Sequence, residues 1–190
     1  MKKYIKHFIT ITKHKFVVMS WCFKMGIFWR GITHDLSKYS LIEFFSSAKY
    51  FQGSQSPINA EKKIRGYSLA WQHHKGHNPH HWEYWIDNVG TKQNNPIKIP
   101  YKYVIEMFCD FVGAGKIYSK NKWTSQEPLN YHNRVKHQRI IHHSSLTLLE
   151  LLLTQLSLLG EKKFVKWYRK NKRSFCEDYK LSFDEKEEAV

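Results

Sequence analysis

The stretch Ala70-Trp71-Gln72-His73-His74-Lys75-Gly76-His77-Asn78-Pro79-His80-His81-Trp82-Glu83-Tyr84-Trp85 sets five histidines within nine residues, among aromatic neighbours. The spacing predicts a helix over about 60–75 that carries His73 and His74 on its last turn. Asn78-Pro79 breaks it, and Pro79 can seat the first turn of a short helix running through His80, His81 and Trp85. Upstream stands His34-Asp35-Leu36-Ser37-Lys38, an adjacent His–Asp pair. Imidazoles and a carboxylate are what a divalent transition metal takes as ligands. Two such clusters in one short chain make a metal site the first functional expectation.

The segments on either side read as helices. Residues 4–29 carry apolar positions at three-to-four spacing, with Ile11, His14, Val18, Trp21 and Met25 on one face, so His14 points inward. Ser40 followed by Glu43 is a capping box that opens a helix through about Tyr50. Loops rich in Gly, Ser, Pro and Asn cover 52–59 and 88–100. Tyr101 to about Val112 places Glu106 and Asp110 one turn apart and is expected to end at Gly113 and Gly115. Further helices are expected at about 130–142 and 145–172. No strand pair or internal repeat stands out. The architecture expected is all-α, a single helical domain over 1–172 with a loosely held, charged tail over 173–190. Leu146–Leu159 is apolar nearly all round, which implies burial in the core or, alternatively, a homodimer seam.

Composition narrows the function classes. The chain has 190 residues, 42% hydrophobic and 16% aromatic, enough for a proper core and against disorder. Lys and Arg number 31 against 16 Asp and Glu, a formal charge of +15. Such a balance favours a phosphorylated small molecule, nucleotide, nucleic acid or anionic membrane surface as partner, against the plainer reading of a basic solvated face. Six of the sixteen acids lie between Glu177 and Glu188, so a carboxylate beside the histidines carries more weight. Cys22, Cys109 and Cys176 are widely spaced, with neither a thiolate zinc motif nor a disulfide framework. That pattern fits a reducing, cytoplasmic setting. Lys13, His14 and Lys15 interrupt the apolar run of the first helix, and no stretch reaches transmembrane length without polar interruption.

The candidate metal ligands are His14, His34, Asp35, His74, His80, His81 and Asp110, spread over five elements. A helical bundle can converge such residues on one core site. Their order resembles the HD-domain superfamily of metal-dependent phosphohydrolases, which pairs an early His with an adjacent His-Asp and a later Asp. That resemblance covers about residues 10–115. A closer resemblance, over most of the chain, is to a family of small proteins of the DUF5662 type. It rests on His14 to Val18, on His34 to Lys38, and on Ala70 to Trp85 with its Asn-Pro-His-His-Trp run. Glu106, Met107 and Asp110 and the His142-His143 segment also fit. That second family brings no reaction with it.

The HD resemblance implies a first ion held by His34, Asp35, Asp110 and His14. His74 with His80 or His81 would hold a second, with Asp35 bridging. Between His80 and His81 the sequence does not choose. Adjacent helical side chains diverge by about 100°, so one would bind metal and the other would meet substrate or a ligand. The ions, one or two, would be Mn, Fe or Zn. Lys38 would neutralise developing phosphate charge, Glu106 would act as general base or orient a ligand, and Arg30, Lys75 and Asn78 would contact substrate. Trp71, Trp82, Tyr84 and Trp85 would pack around the site. The function so implied is a metal-dependent phosphohydrolase acting on a phosphomonoester or phosphodiester of nucleotide type. Two alternatives stand beside it. One is a di-iron oxygenase of HD type. The other is a basic module for nucleic acid or anionic surfaces with a structural metal, suggested by cations interleaved with aromatics over Lys162–Arg173.

Overall fold

The apolar residues at three-to-four spacing in the N-terminal segment wind into α1 (Lys2–Met25), which buries His7, Ile11, His14, Val18, Trp21, Cys22 and Met25 along one face. The computed structural model describes residues 1–88, 90 and 93–181. Gly26, at φ 78°, takes the left-handed conformation that stops the helix, and its N–H returns to the carbonyls of Cys22 and Phe23. The chain turns there into α2 (Phe28–Thr33). α2 lies tightly on α1 because Gly31 has no side chain: a Cβ would stand 2.9 Å from Cys22 Cβ.

The next three helices form a layer beside α1. Ser40 Oγ accepts from the Glu43 N–H at 3.3 Å, opening α3 (Leu41–Tyr50) as the capping signature predicts. The single helix expected over 60–75 is two, α4 (Pro57–Arg65) and α5 (Leu69–His77). Gly66 at φ 79° ends the first, and Ser68 caps the second by accepting from the Trp71 N–H at 3.1 Å. Buried Glu61 ties these helices together, accepting from Ser68 at 2.5 Å, Ser46 at 3.3 Å and Arg65 at 3.2 Å.

α6 (Tyr101–Ser119) is the central helix and runs about two turns beyond Val112. Gly113 and Gly115 do not end it. They lie within it because neighbours press close: added Cβ atoms would meet Val18 Cγ2 at 2.4 Å and Trp123 Cζ3 at 2.5 Å. α7 (Glu127–Val135) follows, then α8 (His143–Leu181), which breaks at Gly160, where φ is 68° and ψ 165°. Leu148, Leu149, Leu152, Leu153 and Leu156 are buried with Trp21, Phe108, Phe164 and Tyr168 in one core. That face of the leucine-rich segment is therefore core, and Leu158 stands out of it at 72% exposure.

Residues 173–181, expected in the loose tail, continue α8. Tyr179 is buried, bonded to Ser145 Oγ at 2.8 Å and to the Ile99 carbonyl. Residues 182–190 lie outside the described residues. The described chain is all-α apart from one antiparallel pair of two-residue strands, β1 (Ile86–Asp87) and β2 (Asn95–Pro96), which the sequence did not signal. No helix among the described residues is long and apolar enough to cross a membrane.

His7 links α1 to α3, its ring packed against Phe44 and Phe51 at 5.4 and 5.3 Å. Burial, with the Lys38 charge as a second cause, lowers its pKa from 6.5 to about 4. The unfolded chain therefore takes up this proton at higher pH than the fold does. Stability is expected to fall as pH drops from 6.5 to about 4, by roughly 2–3 kcal/mol from this group. His7→Leu should flatten that limb of the stability–pH curve in urea denaturation. An identical slope in both proteins would refute the assignment.

Candidate metal centre

Asp35 occupies the turn between α2 and a 3-10 segment, Leu36–Tyr39, with its backbone at φ 54°. Asp tolerates this left-handed conformation better than most residues, and here it turns the carboxylate inward. The side chain is fully enclosed. Its two oxygens face different groups: Oδ2 lies 3.3 Å from His34 Nε2 and 3.7 Å from His14 Nε2. Oδ1 lies 3.4 Å from His74 Nε2 and 3.5 Å from His80 Nε2.

Two donor sets result, each with ligand atoms within 4.8 Å of one another: His14, His34, Asp35 and Asp110 on one side, and His74, His80, His81 and Asp35 on the other. α1 supplies His14 and α6 supplies Asp110, whose Oδ1 lies 2.9 Å from His14 Nε2. The tight contact at Gly113 brings these two helices together, since a Cβ there would also touch the His14 ring at 3.3 Å. All seven sequence-derived ligands thus converge.

His80 and His81 are not on a helix. They lie in a turn closed by the bond from the His81 N–H to the Asn78 carbonyl at 3.0 Å, and the 3-10 segment begins only at Trp82. Helical divergence does not apply to them, and both rings face the centre. His81 Nε2 meets His74 Nε2 at 2.9 Å.

Carboxylates behind the ligands set their orientation. Glu106 Oε1 is hydrogen-bonded to His34 Nδ1 at 3.0 Å and lies 3.3 Å from His80 Nδ1 at ion-pair distance, so one acid stands behind a histidine of each set. Such outer carboxylates fix tautomer and raise ligand basicity. Glu106 is not placed as a general base. It is fully buried, and Arg30 Nε and Nη2 donate to it at 2.6 and 3.2 Å. Burial alone would raise its pKa, but bonds from His34, His80 and Arg30 hold it far below the carboxylate range. Arg30, expected at substrate, is committed to this pair.

Glu43 performs the same service for the second set and was missed as a site residue. Its Oε2 lies 2.8 Å from His74 Nδ1 and its Oε1 2.7 Å from His73 Nδ1. The signal was there, since an acid of this acid-poor chain stood at the third position of a helix. The capping motif accounted for it first. Asn78, expected at substrate, is buried and donates to Ser37 Oγ at 2.7 Å and the His74 carbonyl at 2.8 Å, which makes it a brace for the turn. Lys75 is half-buried on α5, where its charge acts on Glu83 and Lys62. Trp71 walls the second set, 4.8 Å from His81 and 5.8 Å from His74 between ring centroids.

The electrostatics suit a cation. Burial would raise the Asp35 and Asp110 pKa values, yet neighbouring His34 and His14 and, for Asp35, Lys38 hold both well below the usual range. Burial would lower the His34 pKa, and the surrounding carboxylates drive it well above 6.5 instead. Lys38 Nζ stands 2.5 Å from Asp35 Oδ2. Even so, Nε2 of His14, His34 and His80 and both Asp35 oxygens are buried without a well-aligned hydrogen bond. Buried polar atoms left this way cost roughly 1–3 kcal/mol each. Converging unsatisfied N and O donors, without thiolate, are what a Mn, Fe or Zn ion would satisfy.

Replacing Glu106 by Gln removes the charge that Arg30 and both histidines lean on. Glu106→Gln is expected to lower stability by about 2–3 kcal/mol in chelator-treated protein. The loss should shrink at acid pH, as Glu106 itself becomes protonated in the parent chain. An unchanged urea midpoint at neutral pH would show that the Arg30–Glu106 pair is not closed in solution.

Neither the curated proteins nor the solved structures contain a match to this chain. A family described as a family of unknown function, DUF5662, matches residues 3–155. That span takes in every candidate ligand of both donor sets as well as Arg30, Glu43 and Glu106. The chain belongs to the DUF5662 family.

Proposed function

We propose that the chain is a metal-dependent phosphohydrolase with an HD-type arrangement of ligands, acting on a phosphate ester of nucleotide type. The observation that carries this reading is the single carboxylate, Asp35, with one oxygen turned to each of two donor sets. Ions held there would acidify a water and clamp a phosphoryl oxygen.

The chain's own residues supply the rest. Lys38 is a quarter exposed beside Asp35, where its ammonium can meet the charge that develops on phosphate. Burial opposes that charge, but Asp35 and Asp110 keep Lys38 protonated well beyond its ordinary range. Asp110 and His81 are the half-buried ligands, so substrate approaches over them. Arg139 lies near enough to Asp110 and Glu83 for their charges to act on it, and its Nη1 is steadied by His132 Nδ1 at 3.2 Å. A cationic approach of this kind favours an anionic substrate.

A second reading, a di-iron oxygenase, is favoured by the imidazole-rich donor set, five histidines against two aspartates. The nucleic-acid reading loses its main support. Along α8 the cations are exposed, but Phe164 and Tyr168 are buried, and half-buried Trp167 packs against Phe164 and Phe175 at 5.7 and 5.1 Å, which leaves little open ring face for bases.

Elemental analysis of untagged protein is expected to find about two equivalents of Mn, Fe or Zn, lost in Asp35→Ala while the helical circular dichroism signal is retained. Lys38→Met should keep the metal but lower kcat for bis(p-nitrophenyl) phosphate or p-nitrophenyl phosphate by about 100-fold. Full metal retention in Asp35→Ala would sink the dinuclear assignment. Iron-dependent dioxygen uptake without phosphoester cleavage would favour the second reading.

A further inference from the structure

The first 82 residues contain three acids, Asp35, Glu43 and Glu61, and all three are buried. Every charge that this half of the chain shows to solvent is therefore positive. The same half exposes apolar side chains in a connected patch. On α1, Ile5, Phe8, Ile9 and Phe16 are 45–59% exposed. On α3, Leu41 and Phe45 are 75% and 53% exposed. The two helices join through Tyr4 against Phe45 at 6.1 Å and Phe8 against Phe44 at 6.4 Å.

The cations are arranged around this patch. At about 100° per residue, Phe8, Ile5, Phe16 and Ile9 share one exposed sector of α1, and Lys2, Lys13 and Lys6 occupy the sector beside it. Lys3 reaches across to the Lys49 carbonyl on α3, placing a further pair of lysines at its end. An apolar sector bordered by lysines is the pattern of a helix lying in a membrane interface, with rings and aliphatic chains below the headgroups and ammonium groups among the phosphates.

Other occupants fit less well. A symmetric dimer through this face would set lysines near lysines with no exposed acid of the N-terminal half to pair them. Nucleic acid would be gripped by the lysines, but it has no use for exposed Ile and Leu side chains. We infer that the face formed by α1 and α3 docks on an anionic lipid bilayer, with Phe8, Ile9, Phe16, Leu41 and Phe45 entering the headgroup boundary and the flanking lysines on the lipid phosphates.

The test is co-sedimentation of the full chain with vesicles of phosphatidylcholine, alone or with about one-third phosphatidylserine. Binding is expected only to the mixed vesicles and should weaken as salt rises. Ile9→Ser with Phe16→Ser, and separately Lys6→Glu with Lys13→Glu, should each weaken it by about ten-fold or more. Lys170→Glu with Arg173→Glu, on the exposed face of α8, should change it by less than about two-fold. All substituted side chains are surface ones, and circular dichroism checks that each variant folds. Absence of vesicle binding would overturn the inference, as would equal loss in the α8 variant. So would a dimer in light scattering that the patch variants dissolve, or RNA binding lost with the patch while vesicles do not bind.

Discussion

One carboxylate placed between two sets of imidazoles organises this molecule. Asp35 is buried, ionised and surrounded by His14, His34, His74 and His80, and a buried charge is tolerated only where partners compensate it. The rest of the centre answers to that constraint. Glu106 and Glu43 turn the rings so that Nε2 atoms face Asp35, and Arg30 in turn balances Glu106. The glycines at 31 and 113 let α2 and α6 approach α1 closely enough to deliver these groups. Backbone strain at Asp35 belongs to the same economy of position, because φ 54° is held only where the surroundings insist on it.

Much of this was legible from residue order. The apolar periodicity of α1 placed His14 inward, the Ser40–Glu43 signature opened α3 at the right residue, and the candidate ligands proved to share one centre. What escaped was set by tertiary contacts or by local backbone choice. Gly113 and Gly115 read as helix ends, since a glycine that stops a helix and one that admits a neighbour look alike in sequence. The break at Gly66 was hidden because helical periodicity resumes after Ser68. The partners of Arg30 and Asn78 were out of reach for a simpler reason: a polar residue near a site reads as a substrate contact, and its partner across the fold is not visible in the sequence. Arg30 and Glu106 lie 76 residues apart.

The charge of +15 also changes meaning once burial is known. Asp35, Glu43, Glu61 and Glu106 are internal, so the surface is more positive than composition alone suggests. The two basic regions differ in kind. α8 pairs exposed cations with inward aromatics, which is ordinary amphipathic packing. α1 and α3 leave aliphatic and aromatic side chains outside as well, a cost in water that packing within the described fold does not relieve.

Glu106 stands behind both sets through the same oxygen, bonded to His34 of one and in ion-pair reach of His80 of the other, while Asp35 divides its oxygens between them. Neither half can be ordered without ordering part of the other. On the dinuclear reading proposed above, the first ion to arrive would meet the entropy of fixing these shared groups, and the second would find them already set. Loading would then be cooperative, with a steep occupancy curve and little singly filled protein at equilibrium, and by linkage each ion would tighten the other equally.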